Sequence, residues 1–313
     1  MNVLFVAKYD WTNMGYNYSQ AMKSVGVESC SAYREDNFIG CLGIHFKKDS
    51  EIFGLIKAAD TIVFTHTAFT LSRETVRDRI IAKGKKVLVV HGGTQYRLGS
   101  NRYNNHYNQI VDVTLNSHDV LGLGAKNEKV VLTAINTDLL QPTYENNDKI
   151  VIAHYPTQYT SRPYIKGTAI IKEAIKEIKS DNFVFKCDTQ TTTWPKNIDR
   201  IRECDIYIED LCPSQKGIPL SMFGITAQEA GALGKIVVTR FKHVEEYERE
   251  FGKCAIHVAN NKEELINTIE RLLSLSKLEI YRLKKESRDW VVNCHSYKAV
   301  GTYIKNIIEE ITK

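Results

Sequence analysis

Residues Ser221–Arg240 read SMFGITAQEAGALGKIVVTR. Within them TAQEAGALG has the pattern of a helix, and KIVVTRF, which follows directly, is a strand. The strand is an apolar run without polar alternation. Such runs, separated by helical patterns, indicate a parallel sheet covered on both faces.

The same alternation extends outward in both directions. Upstream lie the strand DIYIEDL, the short helix NIDRIREC, the strand NFVFKCD, the helix KGTAIIKEAIKEI and the strand DKIVIAHYP. Downstream, KCAIHVAN and KEELINTIERLLSLS form a further strand and helix, and SYKAVGTYIKNIIEEITK is a terminal amphipathic helix. The first half of the chain repeats the pattern. NVLFVAKYD, TIVFTHT, KKVLVVHGG, IVDVTLNS and EKVVLTAIN read as strands. YSQAMKSVGV is a helix that stops at Gly26, and SRETVRDRIIAKG is a helix with Ser72 as N-cap and Gly84 as stop. The sequence therefore predicts an α/β protein with two Rossmann-like, doubly wound units in series. They join near AINTDLLQPTYENNDK, where polar residues and Pro142 interrupt the pattern. Two such units are expected to face a cleft, with ligands beyond the carboxyl ends of the strands. The loops Lys8–Tyr16, His91–Arg97, Tyr155–Gly167 and Pro213–Thr226 then carry the functional weight.

The bulk properties narrow the class. The 313 residues suffice for two ordinary domains, with 43% hydrophobic and 25% charged residues. The N-terminus reads as a first strand and not as a signal peptide, and no apolar run approaches a membrane span. Seven scattered cysteines without a C-x-x-C pair suggest reduced thiols in the cytoplasm. A net charge of +5 is too mild to indicate nucleic acid. It suits an anionic small ligand or a weak membrane-surface contact. No D-x-D pair or His/Asp cluster with metal spacing is present, so no metal or other cofactor is expected.

One short stretch raises a chemical question. In HYPTQYTSRPYIKGTAIIKEAIKEI (His154–Ile178), Arg162 and Lys166 stand at the mouth of a helix. Free amides at a helix start, the helix dipole and two cations together make a diphosphate seat. The same residues also suit a solvated basic loop.

From Ser221 onward the chain resembles a retaining glycosyltransferase of the GT-B fold, of the large group 1 or family 4. Members have a segment of the form E-G-F-G-L-P-x-L-E-A-M-A-x-G-x-P-V-V. Phe223, Gly224, Glu229, Ala230, Ala232, Gly234 and Val237-Val238 fall on it without a gap. Arg162 and Lys166-Gly167 resemble the family's Arg…Lys-Gly element, AINTDLLQP its inter-domain join, and NMGYNYSQAMKSVGV its glycine loop and first helix. The four elements occur in the family's order and span about the whole chain.

The resemblance implies a role for each residue. Residues 1–146 would be the acceptor domain, with helix 297–313 packing back onto it, and 147–296 the donor domain. Arg162 and Lys166 would neutralise the donor diphosphate and the charge that grows as it leaves. Gly224, Ile225 and Thr226 would offer amides to phosphate or sugar. Glu229 would accept from the ribose hydroxyls, its alternative being a surface helix carboxylate. His91 would lie near the donor sugar and β-phosphate, with His66 as a rival at a similar strand end. Gly15 would let backbone approach phosphate or acceptor. Trp194 would stack on the base or pack in the core. Ser221 stands where the family has a Glu near the donor sugar, which leaves the sugar open.

The activity implied is transfer of a sugar from a UDP- or GDP-linked donor to a hydroxyl of a glycan, a lipid-linked sugar or a small molecule. It would proceed with retention and without metal, in the cytoplasm or at a membrane surface. The alternatives are transfer to a modified DNA base, a non-catalytic nucleotide-sugar binder, and an epimerase of the same fold.

Overall fold

The computed structural model describes residues 1–36, 40–66, 69–144, 148–156, 164, 166–212, 214–215, 218–219 and 223–313. The chain divides into two compact units, Met1–Asn136 with His295–Lys313, and Thr137–Cys294. The division falls inside the polar join, ahead of residue 146. Residues 137–144 are held by the second unit: Arg288 donates to the carbonyls of Thr137, Leu140 and Ala232 at 2.9, 2.6 and 2.7 Å.

The first unit is a parallel seven-stranded sheet of order β3-β2-β1-β4-β5-β6-β7. Its strands are β1 (Asn2–Tyr9), β2 (Glu28–Glu35), β3 (Ile44–His45), β4 (Thr61–Thr65), β5 (Lys86–His91), β6 (Val113–Asn116) and β7 (Glu128–Val130). Helices α1 (Met14–Ser24), α2 (Phe53–Ala58), α3 (Arg73–Thr75) and α4 (Gly93–Tyr107) connect them. Ser72 caps α3 through Thr75 N at 3.1 Å, and the helix runs on irregularly until Gly84 ends it at φ 65°. Leu4, Val6, Ile62, Phe64, Val87 and Val89 form the middle of the core.

The second unit holds a parallel five-stranded sheet of order β14-β13-β10-β8-β9. Its strands are β8 (Ile150–His154), β9 (Phe183–Cys187), β10 (Ile206–Ile208), β13 (Ile236–Thr239) and β14 (His257–Val258). A short antiparallel hairpin, β11 (Ser214–Gln215) with β12 (Ile218–Pro219), stands apart. The helices are α5 (Thr168–Glu177), α6 (Trp194–Arg202), α7 (Ile225–Ala232), α8 (Val244–Phe251), α9 (Lys262–Leu273) and α10 (Lys277–His295). α5 packs on α9 and α6 on α7. This is the pairing expected when right-handed crossovers run in opposite directions from β8. The core is nearly all β-branched or leucine: Ile152, Ile171, Ile206, Ile208, Ile236, Val238, Leu265 and Ile269.

Register is pinned at the amino edges of both sheets by one repeated device. Asp60, Asp112 and Asp205 each precede a strand, and their carboxylates accept the amides of Asn2, Val87 and Val151, all at 2.8 Å. Lys284 neutralises the buried Asp205. After α10 the chain returns to the first unit as α11 (Tyr297–Thr312), which packs on α1. Gly301 makes that approach close, because a Cβ there would lie 2.1 Å from the Ala21 carbonyl oxygen.

Candidate functional site

In the second unit the chain leaves β8 toward β9 on one side and reaches β10 on the other. The sheet's topological switch therefore lies between the carboxyl ends of β8 and β10, where an open α/β sheet binds its ligand. His154 ends β8 and ties this edge together. Its Nδ1–H donates to the Ile208 carbonyl, which fixes the tautomer, and Nε2 accepts from Thr168 Oγ1, both at 2.9 Å. Burial lowers the imidazole to about 4, partly opposed by the Ile208 bond. His154 is thus a neutral clamp joining two strand ends and the first residue of α5.

Lys166 lies at this switch. Its ammonium bonds Glu209 and stands 3.3 Å from Asp210 Oδ2, both just past β10. Burial works against its charge, but the two carboxylates outweigh that and hold it above the ordinary lysine range. Burial also raises the Asp210 carboxyl, with Lys166 opposing and Glu209 adding. An ammonium has three donors, so with two carboxylates engaged one N–H is left for an incoming oxygen. Glu209 is 2% exposed and also accepts from Thr239 Oγ1 at 3.0 Å and Gly224 N at 3.3 Å.

Gly167 shapes the bend that presents Lys166. It caps α5 at φ 65°, and a Cβ there would lie 2.7 Å from the Leu211 carbonyl carbon and 2.9 Å from Cys212 N. Gly167→Ala combines left-handed strain with a backbone clash and is expected to cost about 2–4 kcal/mol by chemical denaturation. A loss under about 1 kcal/mol would show that the loop yields.

Gly224 caps α7, and Ile225 and Thr226 open it. The Gly224 amide is taken by Glu209 and so is not offered to phosphate or sugar as the sequence suggested, whereas the amides of Ile225 and Thr226 belong to the first turn, which no carbonyl within the helix satisfies. A Cβ at Gly224 would lie 2.8 Å from Glu209 Oε1 and 3.4 Å from Lys166 Nζ, so this helix start and the ammonium are neighbours. Glu229, further along α7, is 7% exposed and accepts from Trp194 Nε1–H at 2.7 Å. Burial raises its carboxyl to about 7, with the Trp194 bond opposing. It is no surface carboxylate, and Trp194 is not core packing: the indole is 41% exposed. Arg162 and Ser221 lie outside the described residues.

The first unit has its own switch, between β1 and β4. Asp10, 1% exposed, follows β1 and accepts from Gly15 N at 2.8 Å and Tyr16 N at 3.0 Å. Gly15 therefore spends its amide on Asp10, and Thr65 Oγ1 would lie 3.0 Å from a Cβ added to it. His66 follows β4 in left-handed backbone, φ 60°, with Nε2 donating to the Trp11 carbonyl at 3.0 Å. Its Nε2 is 3.9 Å from Asp10, and burial lowers the ring to about 4. His91 sits two strands from β1. It is 1% exposed, stacked on Tyr96 at 4.0 Å, and neither ring nitrogen has a hydrogen-bond partner among the described residues. Burial lowers it to about 3.

Among the described residues no group of three or more His, Cys, Asp or Glu side chains is placed to hold a metal ion. No helix among them is long and apolar enough to cross a membrane.

No family model and no curated protein matches the chain. Solved structures do match its fold, end to end. HepE of Anabaena, in complex with UDP and glucose, has a TM-score of 0.64 at 12% identity, over 99% of this chain and 100% of that one. An alpha-glucosyltransferase bound to UDP and a 13-mer DNA containing an HMU base has 0.63 at 13%, over 100% and 99%. The N-terminal domain of Candida albicans trehalose-6-phosphate phosphatase has 0.66 at 9%, over 98% and 96%. At such identities the likeness is one of fold, and that fold is GT-B.

Proposed function

We propose that the chain is a glycosyltransferase that moves a sugar from a UDP- or GDP-linked donor to an acceptor hydroxyl. One observation carries this reading. At the switch point of the second unit, the Lys166 ammonium adjoins the start of α7, and the same short helix carries the buried carboxylate of Glu229. A cation and free amides suit a diphosphate, and a carboxylate suits a ribose diol. The fold's likeness to HepE, solved with UDP and glucose, supports it.

In this reading the second unit binds the donor and the first the acceptor. Arg162 completes the phosphate seat and Ser221 meets the donor sugar. His91, Gly15, Ile225 and Thr226 keep the roles given above, and reaction proceeds with retention, in the cytoplasm. Lys166 assists departure of the nucleoside diphosphate by holding its oxygens as their charge grows. The test is a screen of nucleotide sugars for thermal shift and for donor hydrolysis. Stabilisation by none of them removes the reading. Stabilisation without hydrolysis or transfer leaves a non-catalytic binder.

Metal independence follows from the cationic seat and the absence of a D-x-D pair. Donor hydrolysis is expected to persist after exhaustive chelation with EDTA. Complete loss, restored by magnesium or manganese, would assign the phosphate chemistry to a metal ion.

A second acceptor class is supported by one neighbour, the alpha-glucosyltransferase solved with HMU-containing DNA. Transfer of radiolabelled sugar to HMU-containing DNA, with none to glycan or small-molecule acceptors, selects it.

A further inference from the structure

Arg240 follows β13 and is 4% exposed, yet its Nε and Nη1 have no hydrogen-bond partner among the described residues. The other strongly buried cations of the second unit are answered. Lys284 meets Asp205, and Lys235 donates to the Thr143 carbonyl at 3.0 Å, its hydroxyl at 2.9 Å and the Arg202 carbonyl at 2.7 Å. Burying guanidinium nitrogens without a partner is costly, so the retention of Arg240 calls for an anion that completes it.

Its position says which anion. The Arg240 amide donates to the Asp210 carbonyl at 3.1 Å, which sets the residue beside the carboxyl end of β10. The Cys212 amide donates to Asp210 Oδ1 at 2.6 Å, and the Arg240 charge counters the rise that burial and Asp210 impose on the Cys212 thiol. Arg240 therefore adjoins, through its backbone, the strand end that carries Glu209 and Asp210. Lys166 there already answers Glu209 and Asp210, so among the described residues the Arg240 guanidinium is the cation left over for a diphosphate. A planar guanidinium binds phosphate oxygens in pairs.

We propose that Arg240 is a phosphate-binding residue that receives the diphosphate of a nucleoside diphosphate or its sugar ester. The inference rests on the donor reading above and adds a residue to it.

The test compares wild type with Arg240→Met and Arg240→Gln by thermal melting and calorimetric titration. The probes are inorganic pyrophosphate, UDP, GDP and the nucleosides uridine and guanosine. The apo variants are expected to melt at or above the wild-type temperature, because an uncompensated buried charge is gone. Affinity for pyrophosphate and for whichever diphosphate binds should fall at least tenfold, with the matching nucleoside unchanged. If a variant fails to fold or melts well below wild type, the guanidinium is structural and the proposal falls. It also falls if diphosphate affinity stays within twofold, or if nucleoside affinity drops equally. In those cases wild-type binding of UDP or GDP keeps the donor reading. If wild type binds no probe, the donor reading and this one fall together.

Discussion

Lys166→Met is expected to abolish sugar transfer and to weaken nucleoside-diphosphate binding by about 2–3 kcal/mol, the scale of a charge-assisted hydrogen bond. Methionine keeps the length of the stem and removes only the cation, so packing around Gly167 is preserved. The fall in kcat should exceed the fall in affinity, because the leaving diphosphate gains charge in the transition state. A second effect comes from the protein itself. Glu209 is 2% exposed and would lose the ion that Lys166 supplies to it and to Asp210. Breaking such a buried pair destabilises by about 3 kcal/mol or more. That penalty should be larger at pH 8 than at pH 5, where the stranded Asp210 carboxyl, already raised by burial, takes up a proton. Calorimetric titration with UDP and GDP separates the two effects from a melting curve. Unchanged nucleotide affinity in a folded Lys166→Met protein would remove this residue from the phosphate seat.

What the sequence could and could not reveal follows from distance along the chain. The strands β1, β4, β5, β8, β10 and β13 are apolar runs and declare themselves. β2, ESCSAYRE, does not, because serine, cysteine and charged residues hide a strand that pairs with β1 along its length. α4, GTQYRLGSNRYNNHY, is hidden by its asparagines and two glycines. At the candidate site, Lys166 draws attention by its place at the mouth of a helix, and Gly224 and Glu229 only through the resemblance to a glycosyltransferase segment. Glu209 and Asp210 are not legible, although EDL at the end of an apolar strand is in view. Two acidic residues leaving a strand look solvated, and only folding brings Glu209 onto a lysine 43 residues away. Asp10 likewise reads as the start of a loop, while the structure buries it against the first turn of α1. Charged pairs of this kind are long-range facts that no spacing rule encodes.

Glu229→Gln is expected to move stability and binding in opposite directions. Burial holds the wild-type carboxyl near 7, against an ordinary value of 4.5. Between these values the folded chain keeps a proton that the unfolded chain has released, so stability falls as pH rises through that window. The full loss above pH 7 is about 3 kcal/mol, from a shift of about two and a half pH units. Glutamine is neutral at every pH and still offers Oε1 to the Trp194 indole N–H. The unliganded variant should therefore match wild type near pH 4.5 and exceed it by about 2–3 kcal/mol at pH 8. Binding should run the other way. Ribose hydroxyls bond more strongly to a carboxylate than to an amide, so UDP and GDP should bind the variant about 1–2 kcal/mol more weakly at pH 8. Because the ligand prefers the ionised carboxyl, wild type should release a proton on binding near pH 7, and the variant should release none. Titrations in buffers of different ionisation enthalpy read that proton directly. A wild-type melting temperature that does not decline between pH 5 and 8 relative to the variant would contradict the buried-carboxyl account. Equal nucleotide affinity in the two proteins would contradict the ribose contact, and the two results are independent of each other.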